Sequence, residues 1–408
     1  MNLSRRNVTL GGLASAAAAT APLRAAHAQA QPAIKIGCLT DMSGPYKDLA
    51  GPGAVAAARQ AAAEFGAKGF NVEVVVGDHL NKPDVGVTIA RQWFDRDGVD
   101  LIVEATNSGV ALAVANVAQE KNKVYLNSGA ATSDLSGKAC NANTIHWVYD
   151  TYMLAQSTGA AMVKAGGDSW FFITADYAFG KALQRDTTDF VTGAGGKVLG
   201  SVAYPFPGTA DFSSYLIQAQ ASGAKVLGIA NAGSDTINTI KQAKEFGIKM
   251  RLAGLLLFLT DIHSLGLEVA QGIVLTDAFY WDMNDRARAF SDRFTARMPG
   301  IRPTMVQAGV YSSSLHYLKT VTAVGVVQAK LDGAATIARM KAMPTDDDCF
   351  GSGSIRVDGR CIHPSYLWEV KKPSESKGPW DYYKSVASTP ADKAFRPLDL
   401  GGCPLVKA

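Results

Sequence analysis

The chain has 408 residues, a formal charge of +4 and a hydrophobic share of 47%. That length suits two domains of ordinary size, and the composition is that of a folded globular protein, not a disordered or fibrous one. Lys and Arg form no cluster, which excludes the electrostatic footprint of a nucleic-acid-binding protein.

The N-terminus has the form of an address. Ser4-Arg5-Arg6-Asn7-Val8-Thr9-Leu10 matches a twin-arginine export signal, with the general secretory route as the alternative. A weakly apolar, Ala-rich run from Gly11 to Ala21 follows, then Ala26-His27-Ala28-Gln29-Ala30, whose small residues suit signal-peptidase cleavage. The run is shorter than the ~20 residues a bilayer span needs. Residues 1–30 are therefore expected to be a signal peptide. They hold three Arg and no acid, so their removal takes the charge from +4 to +1. No Cys follows the cleavage region, so the expectation is a free periplasmic protein without a lipid anchor.

Strand and helix signals then alternate, the pattern of α/β domains with parallel sheets. Strands are predicted at Ile34–Thr40, Val72–Val76, Asp100–Val103 and Val124–Leu126, with helices at Ala50–Phe65, Pro83–Phe94 and Val110–Glu120 between them. The pattern restarts with a helix at Tyr152–Lys164. Strands Trp170–Thr174, Lys197–Tyr204, Val226–Ala230 and Ile273–Thr276 follow, alternating with helices Phe179–Val191, Tyr215–Ala221 and Asp235–Phe246. The apolar stretch Leu252–Leu259 suits a buried strand and its exit loop. Helices Arg286–Arg297, Pro303–Val326 and Ala334–Met343 come next, then a β-like region at Gly353–Val370. The tail from Lys371 is expected to be irregular but packed, because it carries Trp380, Tyr382, Tyr383 and Phe395. Two successive βα arrays imply two lobes, with a ligand site beyond the carboxyl ends of their strands.

Five cysteines suit an oxidising compartment. Cys349 and Cys361 flank a Gly-rich segment and are candidates for a hairpin disulfide. Cys140 and Cys403 sit in loop-like sequence and could tie down the tail, and Cys38 fits a buried free thiol. Five free thiols are the alternative. His79, His146 and His263 lie without metal-ligand spacing, so neither metal nor cofactor is expected. No dinucleotide-binding glycine motif or G-x-S-x-G elbow stands between strand and helix, which argues against an enzyme. Asp150 fits a helix N-cap, and Asp41 and Asp78 fit loop-bracing acids at strand ends.

Asp41-Met42-Ser43-Gly44-Pro45-Tyr46, Ser128-Gly129-Ala130-Ala131-Thr132, Asp176-Tyr177-Ala178-Phe179-Gly180 and Gly208-Thr209-Ala210-Asp211-Phe212 together resemble the type I periplasmic binding proteins of the branched-chain amino acid transporter class. The resemblance runs from Ile34 to the tail. It implies two doubly wound parallel-sheet lobes joined by three crossovers, near Trp147–Asp150, Phe279–Asp282 and Asp348–Gly351. The implied lobes are 31–148 with 282–349 and 149–281 with 350–385, with a tail, 386–408, packed on them. Three further stretches, Asp78–Gly86, Ile145–Tyr152 and Ala278–Asp282, look closer to a subgroup that takes up aromatic acids. The implied function is that of an ABC-transporter solute-binding protein, likewise not an enzyme, which closes on a small molecule and docks as a monomer on inner-membrane permease subunits. A ligand sensor for a signalling partner is the alternative.

Within that frame, Ala130, Ala131 and Thr132 after a strand offer backbone and hydroxyl donors to a carboxylate, and Asn107 and Ser108 add more. Both segments also suit helix capping. Ser43 and Asn231 lie in further cleft loops. In amino-acid-binding relatives an acid of the second lobe meets the ligand ammonium. Here that region runs Leu255-Leu256-Leu257-Phe258-Leu259-Thr260, with no carboxylate before Asp261. A buried ammonium without a partner is costly, so a carboxylate without the amine is expected. Tyr46, Tyr152, Tyr177, Phe179, Phe258, Phe279 and Trp281 supply ring faces for a flat ligand, a benzoate or phenylpropenoate. Core or hinge packing is the other reading of Phe258, Phe279 and Trp281. Branched-chain amino acids and short amides are the alternative ligands.

Overall fold

A computed structural model describes residues 31–66 and 69–407. The expected export signal lies outside the described residues. Short apolar runs become strands buried on both faces, as in Leu101–Glu104, whose four residues are all buried. Five strands, β1 (Ala33–Thr40), β2 (Asn71–Asp78), β3 (Leu101–Glu104), β4 (Val124–Asn127) and β5 (Thr144–His146), form one parallel sheet in the order β2-β1-β3-β4-β5. Four more, β6 (Ser169–Ala175), β7 (Lys197–Tyr204), β8 (Val226–Ala230) and β9 (Arg251–Gly254), repeat the arrangement as β7-β6-β8-β9. In each sheet the order reverses beside its first strand, which opens a crevice at the carboxyl ends.

The intervening helices begin and end where capping chemistry dictates. Gly51-Pro52 opens the helix Gly51–Phe65, and Gly66 closes it with a left-handed φ of 56°. Asn107 Oδ1 accepts from the N–H groups of Gly109 and Val110 at the head of Ser108–Glu120. Asp150 caps the helix after β5 through Met153 N–H, as the sequence suggested. Trp93 wedges into the first sheet where Gly37 and Gly77 leave room; a Cβ at either glycine would meet its ring. The predicted helix through Phe94 ends in a π turn, Trp93–Asp97.

Three expectations from the sequence require correction. The tail is not irregular throughout. β10 (Val274–Asp277) pairs antiparallel with β14 (Ser365–Val370), and β14 with β15 (Tyr383–Thr389). The alternation in this tail is masked by its Lys and Ser, but the Tyr383 ring packs at a tilt 4.8 Å from that of Tyr280. Second, Cys349 and Cys361 are both free and buried. Cys349 precedes β12 (Gly351–Ile355), whereas Cys361, in β13 (Cys361–Ile362), pairs with Ile355 at its far end. The strand between them spans about 13 Å, beyond the reach of a disulfide. Third, the expected crossover at Asp348–Gly351 is displaced. β11 (Thr345–Asp347), β12 and β13 form a small antiparallel sheet, and Arg360 bridges to His146 at the edge of the first sheet. The chain reaches β10 only at Ser365.

Cys140 and Cys403 are joined across 263 residues of sequence, with Cα atoms 5.5 Å apart. The bond fastens the tail to the loop before β5. Arg396 reinforces it by donating to Ser133 O at 2.8 Å.

Candidate functional site

The carboxyl ends of the two sheets face each other across a narrow cavity. Its first wall comes from loops after β1, β3, β4 and β5: Tyr46, Leu49, Thr106, Gly129, Ala131 and Tyr149. Its second wall comes from loops after β6, β8 and β9: Tyr177, Phe179, Ala232, Leu256 and Phe258.

The lobes touch around this cavity. The Tyr46 and Tyr177 hydroxyls lie 2.5 Å apart. Phe206 stacks on both rings, with centroids 5.5 Å and 4.3 Å away. Ser234 N–H donates to Pro45 O at 3.2 Å, from one lobe to the other. Tyr46 is held in place by its loop. Asp41 accepts from the N–H groups of Gly44 and Tyr46 and from Asn81 Nδ2, at 2.6, 2.8 and 2.7 Å. Asp41 therefore braces the loop, as expected of an acid at a strand end, and Asp78 does the same for Leu80 N–H.

The first wall sets Thr106, Gly129 and Ala131 beside the larger Tyr46, Leu49 and Tyr149. Thr106 donates through N–H and Oγ to the Glu104 carboxyl at 3.1 and 2.7 Å. Glu104 is fully buried, and burial pushes its carboxyl up to about 7. Tyr149 OH donates to Gly129 O at 2.5 Å. Among the described residues, the N–H groups of Gly129 and Ala131 have no protein acceptor. The N-terminus of the helix Ser108–Glu120 follows directly after Thr106, adding its positive end to this wall. The second wall is aromatic and aliphatic. Tyr149 meets Phe258 edge-on at 6.0 Å, joining the two walls.

Of the residues singled out from sequence, Tyr46, Ala131, Tyr177, Phe179 and Phe258 line the cavity. Ser108, Ala130 and Thr132 lie just behind the first wall: Thr132 N–H donates to Ser108 Oγ and Ala130 N–H to Asn127 Oδ1. Asn107 is committed to its helix cap. Asn231 bonds Thr236 and Thr239 beside the second wall. Ser43 turns outward to Asp78. Tyr152 packs edge-on against Phe190 at 5.0 Å, on a separate surface pocket beside Arg185 and Arg396. Phe279 packs against Phe290 at 5.7 Å. Trp281 donates to Trp380 O at 2.7 Å beneath Arg302. Phe279 and Trp281 therefore meet protein partners away from the cavity. Sequence reasoning missed Leu49, Thr106, Gly129, Tyr149, Ala232 and Leu256. Each lies within a few positions of a residue that was chosen.

The model of the family described as periplasmic binding protein matches residues 33–379. A crystal structure of a periplasmic binding protein from Burkholderia mallei is 51% identical, with a TM-score of 0.89, covering 92% of this chain and 99% of that one. A branched-chain amino acid ABC transporter periplasmic ligand-binding protein from Burkholderia xenovorans LB400 is 41% identical, with a TM-score of 0.79, covering 91% and 99%. A solute-binding protein of an ABC transporter from R. palustris, in complex with benzoate, shares the fold at 21% identity and a TM-score of 0.80, over 91% and 99% of the two chains. The relative named Leu/Ile/Val-binding protein homolog 7, from Brucella abortus (strain 2308), is 26% identical over 57% of this chain, and the match spans only 61% of that relative. These relatives are solute-binding proteins and not enzymes. The chain belongs to the periplasmic binding protein family, with the type I fold, in the branched-chain amino acid class of ABC-transporter solute-binding proteins.

Proposed function

We propose that this protein, exported to the periplasm, binds a small carboxylate, an aromatic acid of benzoate or phenylpropenoate type, and delivers it to an ABC permease. The observation that carries the reading is the asymmetry of the cavity. One wall offers unpaired N–H groups and a helix N-terminus for a carboxylate. The other offers the faces and edges of Tyr177, Phe179 and Phe258 for a flat apolar body. An α-amino acid also needs an anionic partner for its ammonium. Asp261, the first acid after β9, turns instead to its own helix, accepting from Phe258 N–H at 3.0 Å. The benzoate held by the R. palustris protein makes that acid the first to try.

A branched-chain amino acid is the second reading. It is favoured by the description of the Burkholderia xenovorans protein and by the buried Glu104 carboxyl behind the first wall. A thermal-shift titration of the purified protein with benzoate, 4-hydroxybenzoate, leucine and valine separates the two, since a ligand of the folded state raises Tm once its concentration exceeds Kd. A rise with the aromatic acids and none with leucine or valine is expected. A rise with leucine or valine alone would sink the aromatic reading.

A further inference from the structure

We infer that Glu104 is a positioning residue that couples binding of a carboxylate to uptake of a proton, by reversing the hydrogen-bond direction of the Thr106 hydroxyl that lines the cavity. The inference rests on the carboxylate end of the proposed ligand and not on its aromatic body.

The backbone places Glu104 where a strand residue would not normally turn. Glu104 and Ala105 both lie in the left-handed region, with φ of 80° and 73°. Non-glycine residues there are strained, and such strain clusters at functional sites. The turn is held by Ala105 N–H donating to Leu39 O at 2.7 Å and by Tyr125 OH donating to Glu104 O at 2.8 Å. It carries the carboxyl under the cavity wall, against Gly129, where a Cβ on that glycine would overlap Oε1.

The two carboxyl oxygens are not equivalent. Thr106 N–H donates to Oε2, and a backbone N–H can only donate. That N–H disfavours a proton on Oε2, so in neutral Glu104 the proton goes to Oε1, facing Thr106 Oγ, with the Thr40 hydroxyl also beside the carboxyl. With Glu104 ionised, Thr106 spends its one O–H on Oε1 and shows the cavity lone pairs only. With Glu104 neutral, Oε1 donates to Oγ, and the Thr106 O–H is released to donate to a ligand carboxylate. An anion in the cavity also disfavours a second negative charge behind the wall. Both effects favour the protonated form in the complex.

Nothing nearby supplies a countercharge. Among the described residues Glu104 forms no ion pair. The titratable groups that face it are Cys38 from β1, Tyr125 from β4 and Tyr149 from the segment after β5. Burial raises all three well above their ordinary values, so they stay neutral. The helix Met305–Val324 also packs on β3, but its Tyr311, His316 and Tyr317 face Glu64, Met340 O and Asp100. Burial already holds the Glu104 carboxyl at about 7, so a modest further rise places its titration across the neutral range.

The test is calorimetric titration of the protein with benzoate, 4-hydroxybenzoate and leucine, each a carboxylate, in two buffers of different ionisation enthalpy. The expected result is uptake of up to one proton per ligand near pH 7.5. Kd should weaken as pH rises from 7 toward 9, by up to about tenfold per unit while the free protein is ionised and the complex is not. In Glu104→Gln the amide oxygen must accept from Thr106 N–H, so its NH₂ donates to Oγ permanently. That variant should bind at every pH as the wild type does at low pH, without proton uptake. Should Glu104→Gln fail to fold, Thr106→Val should abolish the uptake and Thr106→Ser restore it. A pH-independent Kd in the wild type, or uptake that persists in both Glu104→Gln and Thr106→Val, overturns the inference. So does proton release on leucine binding, because Glu104 would then be meeting the ammonium. Benzoate bound without uptake removes this inference alone, and leucine bound alone with uptake removes the aromatic reading alone. If none of the three binds, both readings fall.

Discussion

Two of the buried acids around the cavity, one behind each wall, do different things. Glu104 behind the first wall and Asp261 behind the second are both pushed up to about 7 by burial. Neither is paired with a cation among the described residues. Glu104 accepts from a hydroxyl that lines the cavity, whereas Asp261 accepts only from the backbone N–H of Phe258. A proton on Glu104 therefore changes what a ligand meets. A proton on Asp261 leaves the Phe258 ring in place and changes only the head of the helix Leu259–Leu265. The walls differ in the same sense: the first presents backbone and hydroxyl groups, and the second presents chiefly rings.

The strongest way to break this division is to fill the first wall. In Gly129→Val the new side chain would overlap the Glu104 carboxyl and crowd the Thr106 backbone. Binding of every carboxylate should fall at least about 100-fold, with a stability loss of about 1–3 kcal/mol from overpacking. Unchanged affinity in a titration would place the carboxylate elsewhere. Changing the second wall should act selectively. Phe258→Leu keeps most of the apolar volume but loses the ring, worth about 0.5–1.5 kcal/mol. Affinity for benzoate should drop about threefold to tenfold, while affinity for an aliphatic acid should hold. Equal losses for both would mean that the wall reads volume and not flatness. A smaller effect is expected from the brace behind the first wall. Replacing Cys140 and Cys403 by Ser should lower stability by about 2–4 kcal/mol, measured by denaturant unfolding, and weaken binding by no more than about threefold. Cys140 anchors the loop that leads from Ser133 toward β5 and is not itself part of the cavity.

The division was partly legible in the sequence. Alternating strands and helices gave both parallel sheets, because strands such as β3, β4 and β8 are short apolar runs. The carboxyl-end rule then located the loops, and of the rings singled out there Tyr46, Tyr177, Phe179 and Phe258 line the cavity. The first wall was found only approximately. Asn107, Ser108 and Thr132 drew attention as the more polar neighbours, but they are spent on caps and on one another. Beside the expected Ala131, Gly129 after β4 reaches the cavity, as does Thr106, carried there by a left-handed turn at Glu104 and Ala105 that two non-glycine residues do not announce. Tyr152 and Trp281 lie away from the cavity for a different reason. Helix phase turns Tyr152 onto Phe190, and a partner from the distant tail claims Trp281. Pairing the cysteines succeeded for Cys140 with Cys403, both in loops, and failed for Cys349 with Cys361. Nearness in sequence is a poor guide when a strand runs between two residues.

The finest test of the comparison removes the acid behind the second wall. In Asp261→Asn the amide oxygen still accepts from Phe258 N–H, so Phe258 should stay in place and affinity should keep the wild-type dependence on pH. Stability should not. The folded Asp261 titrates at about 7, and an unfolded Asp at about 3.9. Its pKa is raised on folding, so the native state holds more protons than the unfolded chain between these values, and wild-type stability declines as pH rises through that window. The neutral amide of the variant carries no such cost. The melting temperature of the variant relative to wild type should therefore climb between pH 5 and pH 8. The buried His79 and His363, both held at about 4, oppose the decline below pH 6.5, but they are common to both chains and cancel in the difference. A Tm difference that climbs with pH, beside an unaltered pH profile of binding, is the outcome expected of an acid that supports a wall without facing the ligand. A binding profile flattened by Asp261→Asn would give Asp261 the role assigned to Glu104.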